Sequence, residues 1–369
     1  MTEARATPQG VVLPHARKGR LESVSYLPQR ELRVLHTLRC NGKNGSTYAD
    51  LVESTAPPGC RQEFFSWSRA LLGRYDVLHA HWPEHLVRDS QRPWLRVVRR
   101  WLLDLLLLRL AVQGIPLVWT AHNLAPHEQG TPAEQRSLER FIRQIDMVIK
   151  LTPASPVQFG RRQVTIAHSH YRELYGKVLD RGVVAAPVSG RLLYFGIIRP
   201  YKGVDVLLAS FGRTADPSIS LRVVGHPHPG QADVVQEACA ADPRISAVLR
   251  YVDDAELVAE IVAAQLVVLP YRGMMHNSGT LLAALSLHRP VLVPRSPTNS
   301  AISQRVGPGW VLEYDGELDE HVLADALART ARPPVDPPDL TEHAPGLVAA
   351  QHRLAYEEAL AERRRWWVR

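Results

Sequence analysis

Arg199 and Lys202 stand three residues apart in YFGIIRPYKGVDVLLASF (194–211), where an apolar run gives way to helical spacing. Loops at such a hand-over more often carry Gly, Asn, Asp or Ser. A helix N-terminus has free N–H groups and partial positive charge, so two cations beside it, with Gly203 opening the helix, suit an anion. Two cations fit a diphosphate better than a single carboxylate. Taken alone, a solvated basic loop explains the pair equally well. PYRGMMHNSGTLLAAL (270–285) repeats the arrangement: Asn277, Ser278, Gly279 and Thr280 allow close backbone approach where a second helix starts. An ordinary Asn or Ser N-cap would account for that stretch by itself. Two such stretches in one half of the chain point to a nucleoside diphosphate.

Other nucleotide signatures are missing. The chain has no Gly-x-x-x-x-Gly-Lys-Ser/Thr loop, no Gly-x-Gly-x-x-Gly fingerprint and no Asp-x-Asp pair. Arg, Lys and helix dipoles would then neutralise the diphosphate, with no metal and no cofactor.

Chemistry at such a ligand that removes a hydroxyl proton needs a base, a carboxylate or an imidazole within reach of it. Glu84, His122, His127 and Glu128 follow apolar runs in the N-terminal half; His122, Glu128 and Glu84 are the catalytic candidates. For each, a structural role weighs at least as much, with Glu84 as a helix-start residue after Pro83. His79 and His81 read as packed or hydrogen-bonded at a strand end. His168 and His170 could line a cleft. The histidines show no metal-ligand spacing.

Positioning these groups requires alternating strands and helices. Strand candidates are 32–39, 75–85, 115–128 and 146–152, then 191–198, 219–225, 245–252, 265–271, 289–294 and 309–314. Helical patterns lie at 93–113 and 133–144, then at 203–213, 231–240, 254–264, 279–287 and 317–330. The stretch 151–190 has weak periodicity and reads as a connection. This is an α/β pattern of two doubly wound, Rossmann-like halves, which bind ligands beyond the C-terminal strand ends. The expected organisation is a disordered arm over 1–28, a first domain over 29–175 and a second over 176–344. A terminal helix over 345–369 follows.

The 369 residues suit two domains, and the net charge of +7 favours acidic partners. No zinc-finger or aromatic-basic motif supports nucleic acid. Cys40, Cys60 and Cys239 form no disulfide framework, which suits a reducing cytosol. Residues 92–114 are too interrupted by charge to span a bilayer. Arg92, Arg96, Arg99 and Arg100 with Trp94 and Trp101 suit a helix lying on an anionic membrane. A buried helix with a basic solvent face is the competing reading, favoured for the leucine-rich half. ERRRWWVR at the C-terminus also suits an interface.

YFGIIRPYKGVDVLLASF, LRVVGHP, YVDDAELVAEIVAAQLVVLPY and NSGTLLAALSLHRPVLVP resemble, in order and spacing, the donor half of a GT-B glycosyltransferase over about residues 190–315. VLHAHWPEH, LVWTAHNLAPHE and VTIAHSHYRELYG resemble a bacterial subgroup with mannosyltransferases of glycolipid and exopolysaccharide assembly. The resemblance implies two Rossmann-like domains facing across a cleft, an acceptor-binding domain over 29–175 and a nucleotide-sugar donor-binding domain over 176–344, with a terminal helix crossing back onto the first. It also implies transfer of a hexose, mannose among the candidates, from a nucleoside-diphosphate sugar to a lipid-linked or glycan acceptor. A GDP-sugar ranks ahead of a UDP-sugar, with base recognition near Tyr251, and His122 matches a position that contacts the donor. The enzyme would be cytoplasmic and peripheral at the inner face of the cell membrane. One departure stands out. Retaining relatives carry two Glu residues eight apart, and the matching positions here are Met275 and Ala283, so neither that ribose contact nor retention is implied. A GT-B sugar epimerase and a non-catalytic nucleotide-sugar binder are the alternatives.

Overall fold

The computed structural model describes residues 30–38, 47–88, 92–122, 130–157, 159–182, 187–273, 279–332 and 334–367. The expected arm over 1–28 and the candidates Glu128, Asn277 and Ser278 lie outside them, as do His127 and Met275.

The first half contains β1 (Leu32–His36), α1 (Thr47–Ser54), β2 (Cys60–Phe64), α2 (Trp67–Leu72), β3 (Val77–Ala80), α3 (Glu84–Val87), α4 (Pro93–Gln113), β4 (Leu117–Ala121), α5 (Pro132–Arg143), β5 (Met147–Lys150), β6 (Arg162–Thr165) and α6 (Arg172–Leu179). The second contains β7 (Arg191–Phe195), α7 (Val204–Gly212), β8 (Ser220–Val224), α8 (Ala232–Ala241), β9 (Ile245–Val248), α9 (Asp254–Ala263), β10 (Leu266–Val268), α10 (Gly279–Ser286), β11 (Val291–Pro294), α11 (Pro297–Val306), β12 (Val311–Tyr314), α12 (Glu320–Thr330) and α13 (Pro345–Trp367).

Two six-stranded sheets result, ordered β2-β1-β3-β4-β5-β6 and β12-β11-β10-β7-β8-β9, with every pairing parallel. Central strands such as β3 (VLHA) and β4 (LVWTA) are buried at every position. Helices cover both faces of such a sheet, so its strands read as continuous apolar runs. The helix starts are written locally. Thr131 and Glu134 form a reciprocal capping box on α5, with Pro132 at its first position. Asp253 and Asp319 accept the Glu256 and Val322 amides at the starts of α9 and α12.

The terminal helix α13 packs Val348, Ala355, Tyr356 and Ala359 against Leu32, Val34, Val77, Val118 and Ile149 of the first sheet. The seam between the halves is packed too. Leu51 of α1 and Tyr175 and Val178 of α6 belong to the same core as β7, β8 and β10.

The stretch 151–190 is more than a connection, since it holds β6 and α6. Two edge strands, β2 (CRQEF) and β6 (RQVT), escape a hydrophobicity reading because edge strands carry polar residues. The polar helix α11 (PTNSAISQRV) and the six-residue α2 escape it as well.

The helix α4 corrects the expectation of a basic solvent face. It buries Leu103, Leu106, Leu107 and Leu110, but turns Trp94, Val97, Val98, Trp101, Leu105, Leu108 and Val112 outward. Trp94 is 63% and Trp101 69% exposed, and the leucine-rich half shares the apolar stripe. Arg109 points inward, bonding the Ala70 and Gly73 carbonyls and covering the Tyr75 ring. No helix among the described residues is long and apolar enough to cross a membrane.

Candidate active site

The C-terminal ends of β7, β8 and β10 converge on glycines. Gly203 has φ +68°, and a Cβ there would lie 2.0 Å from the Pro270 carbonyl oxygen. At Gly225 the corresponding distance to the Gly196 oxygen is 1.8 Å. No side chain fits at either point, and the backbones can meet only because both residues are glycine.

That close packing brings the loop after β7 to the start of α10. A Cβ on Gly196 would touch Thr280 Oγ1 at 3.7 Å. Gly279, the first residue of α10, faces the connection between the halves. Its Cβ position is 3.1 Å from the Tyr171 hydroxyl and 3.6 Å from His168 Nε2. His168 Nδ1 donates to the Ser169 carbonyl at 2.7 Å, so Nε2 keeps its lone pair.

Arg199 precedes a single 3₁₀ turn, Pro200–Lys202, that leads into α7. No carboxylate pairs with Arg199 among the described residues, and its Nε is buried without a partner. Lys202 is held differently. Its Nζ sits 3.8 Å above the Tyr271 ring centroid and 5.5 Å from that of Tyr201. Each ring attracts the ammonium through its negative face. The structure therefore brings Arg199, Lys202, Gly203, Gly279 and Thr280 to one edge of the second sheet. On the same edge, Tyr251 stacks on His226 with centroids 4.6 Å apart.

Facing this edge, strands β1, β3 and β4 lie side by side and each runs out in histidine: LRVLH, VLHAH and LVWTAH. His36 Nδ1 lies 2.9 Å from His81 Nε2, and His81 Nδ1 lies 3.1 Å from His122 Nε2. The far nitrogen of His36, Nε2, is bonded to Gln62 Oε1. Alongside, His79 is fixed by Thr120 Oγ1 at 2.7 Å and the Tyr356 hydroxyl at 2.8 Å. Tyr48 meets His122 edge-on at 4.9 Å and reaches His168 at 5.5 Å.

Burial holds these imidazoles neutral. It pushes His36 and His122 down to about 3, His168 to about 4, and His79 and His81 well below the usual range. Neighbouring imidazoles, charged if protonated, add to the effect. The cavity among them, about 40 Å³, is lined by His36, Tyr48, Gln62, His81, His168 and His352. It has room for a few waters and none for a sugar.

The sequence-derived candidates thus separate. His122 joins a hydrogen-bonded network beside the seam. Glu84 is buried at the first position of α3. His170 pins the backbone, giving its N–H to the His343 carbonyl and accepting the Arg172 amide at Nδ1. Ring nitrogens of His36, His79 and His81 lie within 4.8 Å of one another, a grouping that sequence spacing did not reveal. Sequence reasoning also missed His36, Gln62 and Tyr48. The available signal was the shared histidine ending of three neighbouring strands.

No family model matches the chain. The fold is similar to solved glycosyltransferases. Anabaena Alr3699/HepE, in complex with UDP and glucose, aligns with a TM-score of 0.57 at 13% identity, over 90% of this chain and 98% of that one. Sucrose-phosphate synthase from Thermosynechococcus elongatus aligns with a TM-score of 0.54 at 17% identity, over 92% and 98%. Two proteins from Xanthomonas campestris pv. campestris, both named GDP-mannose:glycolipid 4-beta-D-mannosyltransferase, are 43% and 42% identical over 334 residues. Each match spans 90% of this chain and 93% of the relative. Identity at that level along nearly the whole length, on two facing parallel sheets, places the chain: it belongs to the glycosyltransferase family that these Xanthomonas mannosyltransferases represent, built on the GT-B fold.

Proposed function

We propose that this protein transfers mannose from GDP-mannose to a glycolipid acceptor. The observation that carries this reading is the 43% identity, over nine-tenths of the chain, to relatives bearing that name. The donor site is assigned to Arg199, Lys202, Gly203, Gly279 and Thr280, with Asn277 and Ser278 on the adjoining segment. It lies in a donor domain over 176–344, and the acceptor domain spans 29–175 with the returning helix 345–369; α6 bridges the two. The Arg199 guanidinium, paired with no carboxylate among the described residues, and the start of α10 supply positive charge for the diphosphate, so this step uses no metal. The exposed Tyr251–His226 stack is the place for the base.

The relatives' name specifies a beta product. From an α-linked sugar nucleotide that outcome is inversion, which needs one base and no retaining pair. Ala283 in α10 agrees, being buried where retaining enzymes carry a carboxylate. His122 is the base: it takes the acceptor hydroxyl proton while the oxygen attacks the anomeric carbon and the diphosphate leaves with the bonding electrons. Glu84 and Glu128 are the carboxylate alternatives.

The acceptor's lipid brings the enzyme to a membrane. The apolar stripe of α4, flanked by Arg92, Arg96, Arg99 and Arg100, suits peripheral docking on an anionic surface at the inner face of the cell membrane. A panel of GDP- and UDP-sugars tests the donor assignment. GDP-mannose should be consumed fastest and should raise the melting temperature; a UDP-sugar preferred in both assays would overturn it.

A further inference from the structure

The three histidines at the strand ends form a directed chain. A neutral imidazole carries one N–H and one acceptor nitrogen, so fixing one end of a histidine chain fixes every member. The fixed end is Gln62 on β2, whose amide oxygen faces His36 Nε2. His36 must then carry its proton on Nε2 and accept at Nδ1. The donor into Nδ1 is His81 Nε2–H at 2.9 Å, which leaves His81 Nδ1 as an acceptor. His122 Nε2–H fills that role at 3.1 Å, with the Tyr48 hydroxyl 3.4 Å from the same atom. The remaining atom is His122 Nδ1, which has no hydrogen-bond partner among the described residues and carries the lone pair for a substrate proton. Ring geometry supports a hydrogen bond over a shared metal. The His36 and His81 rings are 18° from parallel with centroids 5.3 Å apart, so their nitrogens aim at each other and not at a common third point.

We propose that Gln62, through His36 and His81, is a positioning residue that sets the tautomer of His122 and makes Nδ1 the proton-accepting atom. This rests on the reading of His122 as the base. When Nδ1 takes the acceptor hydroxyl proton, the Nε2 proton can pass to His81 Nδ1, and the Nε2 proton of His81 to His36 Nδ1. The positive charge then rests on His36, beside the Gln62 oxygen, and the reverse hops restore the chain when the proton returns to solvent. Among the described residues, the titratable groups facing this chain are His79 on β3, Tyr48 on α1, His168 in the connection, and His352 and Tyr356 on α13. All are imidazoles or phenols, so no fixed charge among them competes with Gln62 for control of the direction.

Two substitutions in the full-length protein, followed by pH profiles of mannosyl transfer from GDP-mannose, test this. Gln62→Leu removes the acceptor and should lower kcat roughly tenfold or more, with the donor KM unchanged. Gln62→Glu supplies a stronger, charged acceptor. It should keep kcat near wild type and move the acidic limb of kcat/KM upward by roughly one pH unit, because a carboxylate stabilises the protonated chain. If both profiles overlay the wild type while His122→Gln is inactive, the chain is overturned and the base assignment stands. If His122→Gln is fully active, the base assignment itself fails. Nitrogen-15 histidine spectra give a readout independent of activity. Protons on Nε2 of His36, His81 and His122 support the proposal, and protons on Nδ1 overturn it. So would one bound transition-metal ion per chain that disappears in His36→Ala.

Discussion

The imidazole of His122 lies face to face with the indole of Trp82, with centroids 4.3 Å apart and planes 20° from parallel. Trp82 follows β3 and His122 follows β4, so two neighbouring strand ends clamp one ring. The Tyr48 edge closes a second side and His81 holds Nε2. His122 therefore has one orientation available. His122→Gln should lower kcat by roughly two to four orders of magnitude while donor binding persists. Trp82→Ala should leave the base present but loose, with a smaller loss in kcat. Initial-rate kinetics with donor-binding isotherms check both; equal losses in kcat and donor affinity would mean that His122 holds the donor instead.

Arg199 and Lys202 give a second expectation. If they offset charge that develops on the leaving diphosphate, Arg199→Ala or Lys202→Ala should cost roughly two to three orders of magnitude in kcat. Lys202→Ala also loses the contact with Tyr271, so its folding stability should drop by about 1 kcal/mol. EDTA should leave transfer intact. Rate loss on chelation, restored by magnesium or manganese, would show an ion at the diphosphate.

The buried histidines make stability depend on pH. His36 and His122 titrate near 3 in the folded protein, against 6.5 when exposed. Above 6.5 both states leave them neutral. Below it the unfolded chain binds protons that the folded chain does not, so stability falls as pH drops from 6.5 toward 3. Each independent group contributes up to about 1.4 kcal/mol per pH unit in that window. Urea unfolding midpoints should decline steadily across it, and a flat profile would mean that the rings are solvated.

The α4 stripe yields a membrane test. Trp94, Trp101, Leu105 and Leu108 face outward beside basic groups, each worth about 1 kcal/mol near an anionic surface. Vesicles containing anionic lipid should bind the protein, and less so as salt rises. Leu105→Glu with Leu108→Glu, or charge reversal at Arg96 and Arg100, should reduce vesicle binding and transfer to a lipid acceptor. GDP-mannose binding should be unchanged. Wild-type protein that ignores anionic vesicles at low salt would assign the stripe to another partner.

The sequence disclosed the central strands, because a parallel sheet covered on both faces writes them as unbroken apolar runs such as VLHA and LVWTA. It hid β2 and β6, whose edge positions tolerate charge. The place of Arg199 and Lys202 between a strand and a helix was legible because an apolar run gives way there to helical spacing. The pairing of Lys202 with Tyr271 was not, since 69 positions separate them and only the sheet order brings them together. Likewise His36 and Gln62 lay unmarked in LRVLH and CRQEF. Their significance depends on β2, β1, β3 and β4 being neighbours, which strand order decides and local pattern does not. The outward face of α4 was misjudged in its leucine-rich half: apolar residues ring that helix on every side, so periodicity could not say which stripe is buried.

The most direct test of the account is product analysis after incubating the purified protein with GDP-mannose and an amphiphilic glycolipid acceptor. Mass spectrometry should show one hexose added to the glycolipid with stoichiometric release of GDP, and proton–carbon coupling at the new anomeric centre should report a beta linkage. An alpha linkage would contradict the single-base inverting mechanism. Release of free mannose without any glycosylated lipid would contradict the transferase itself.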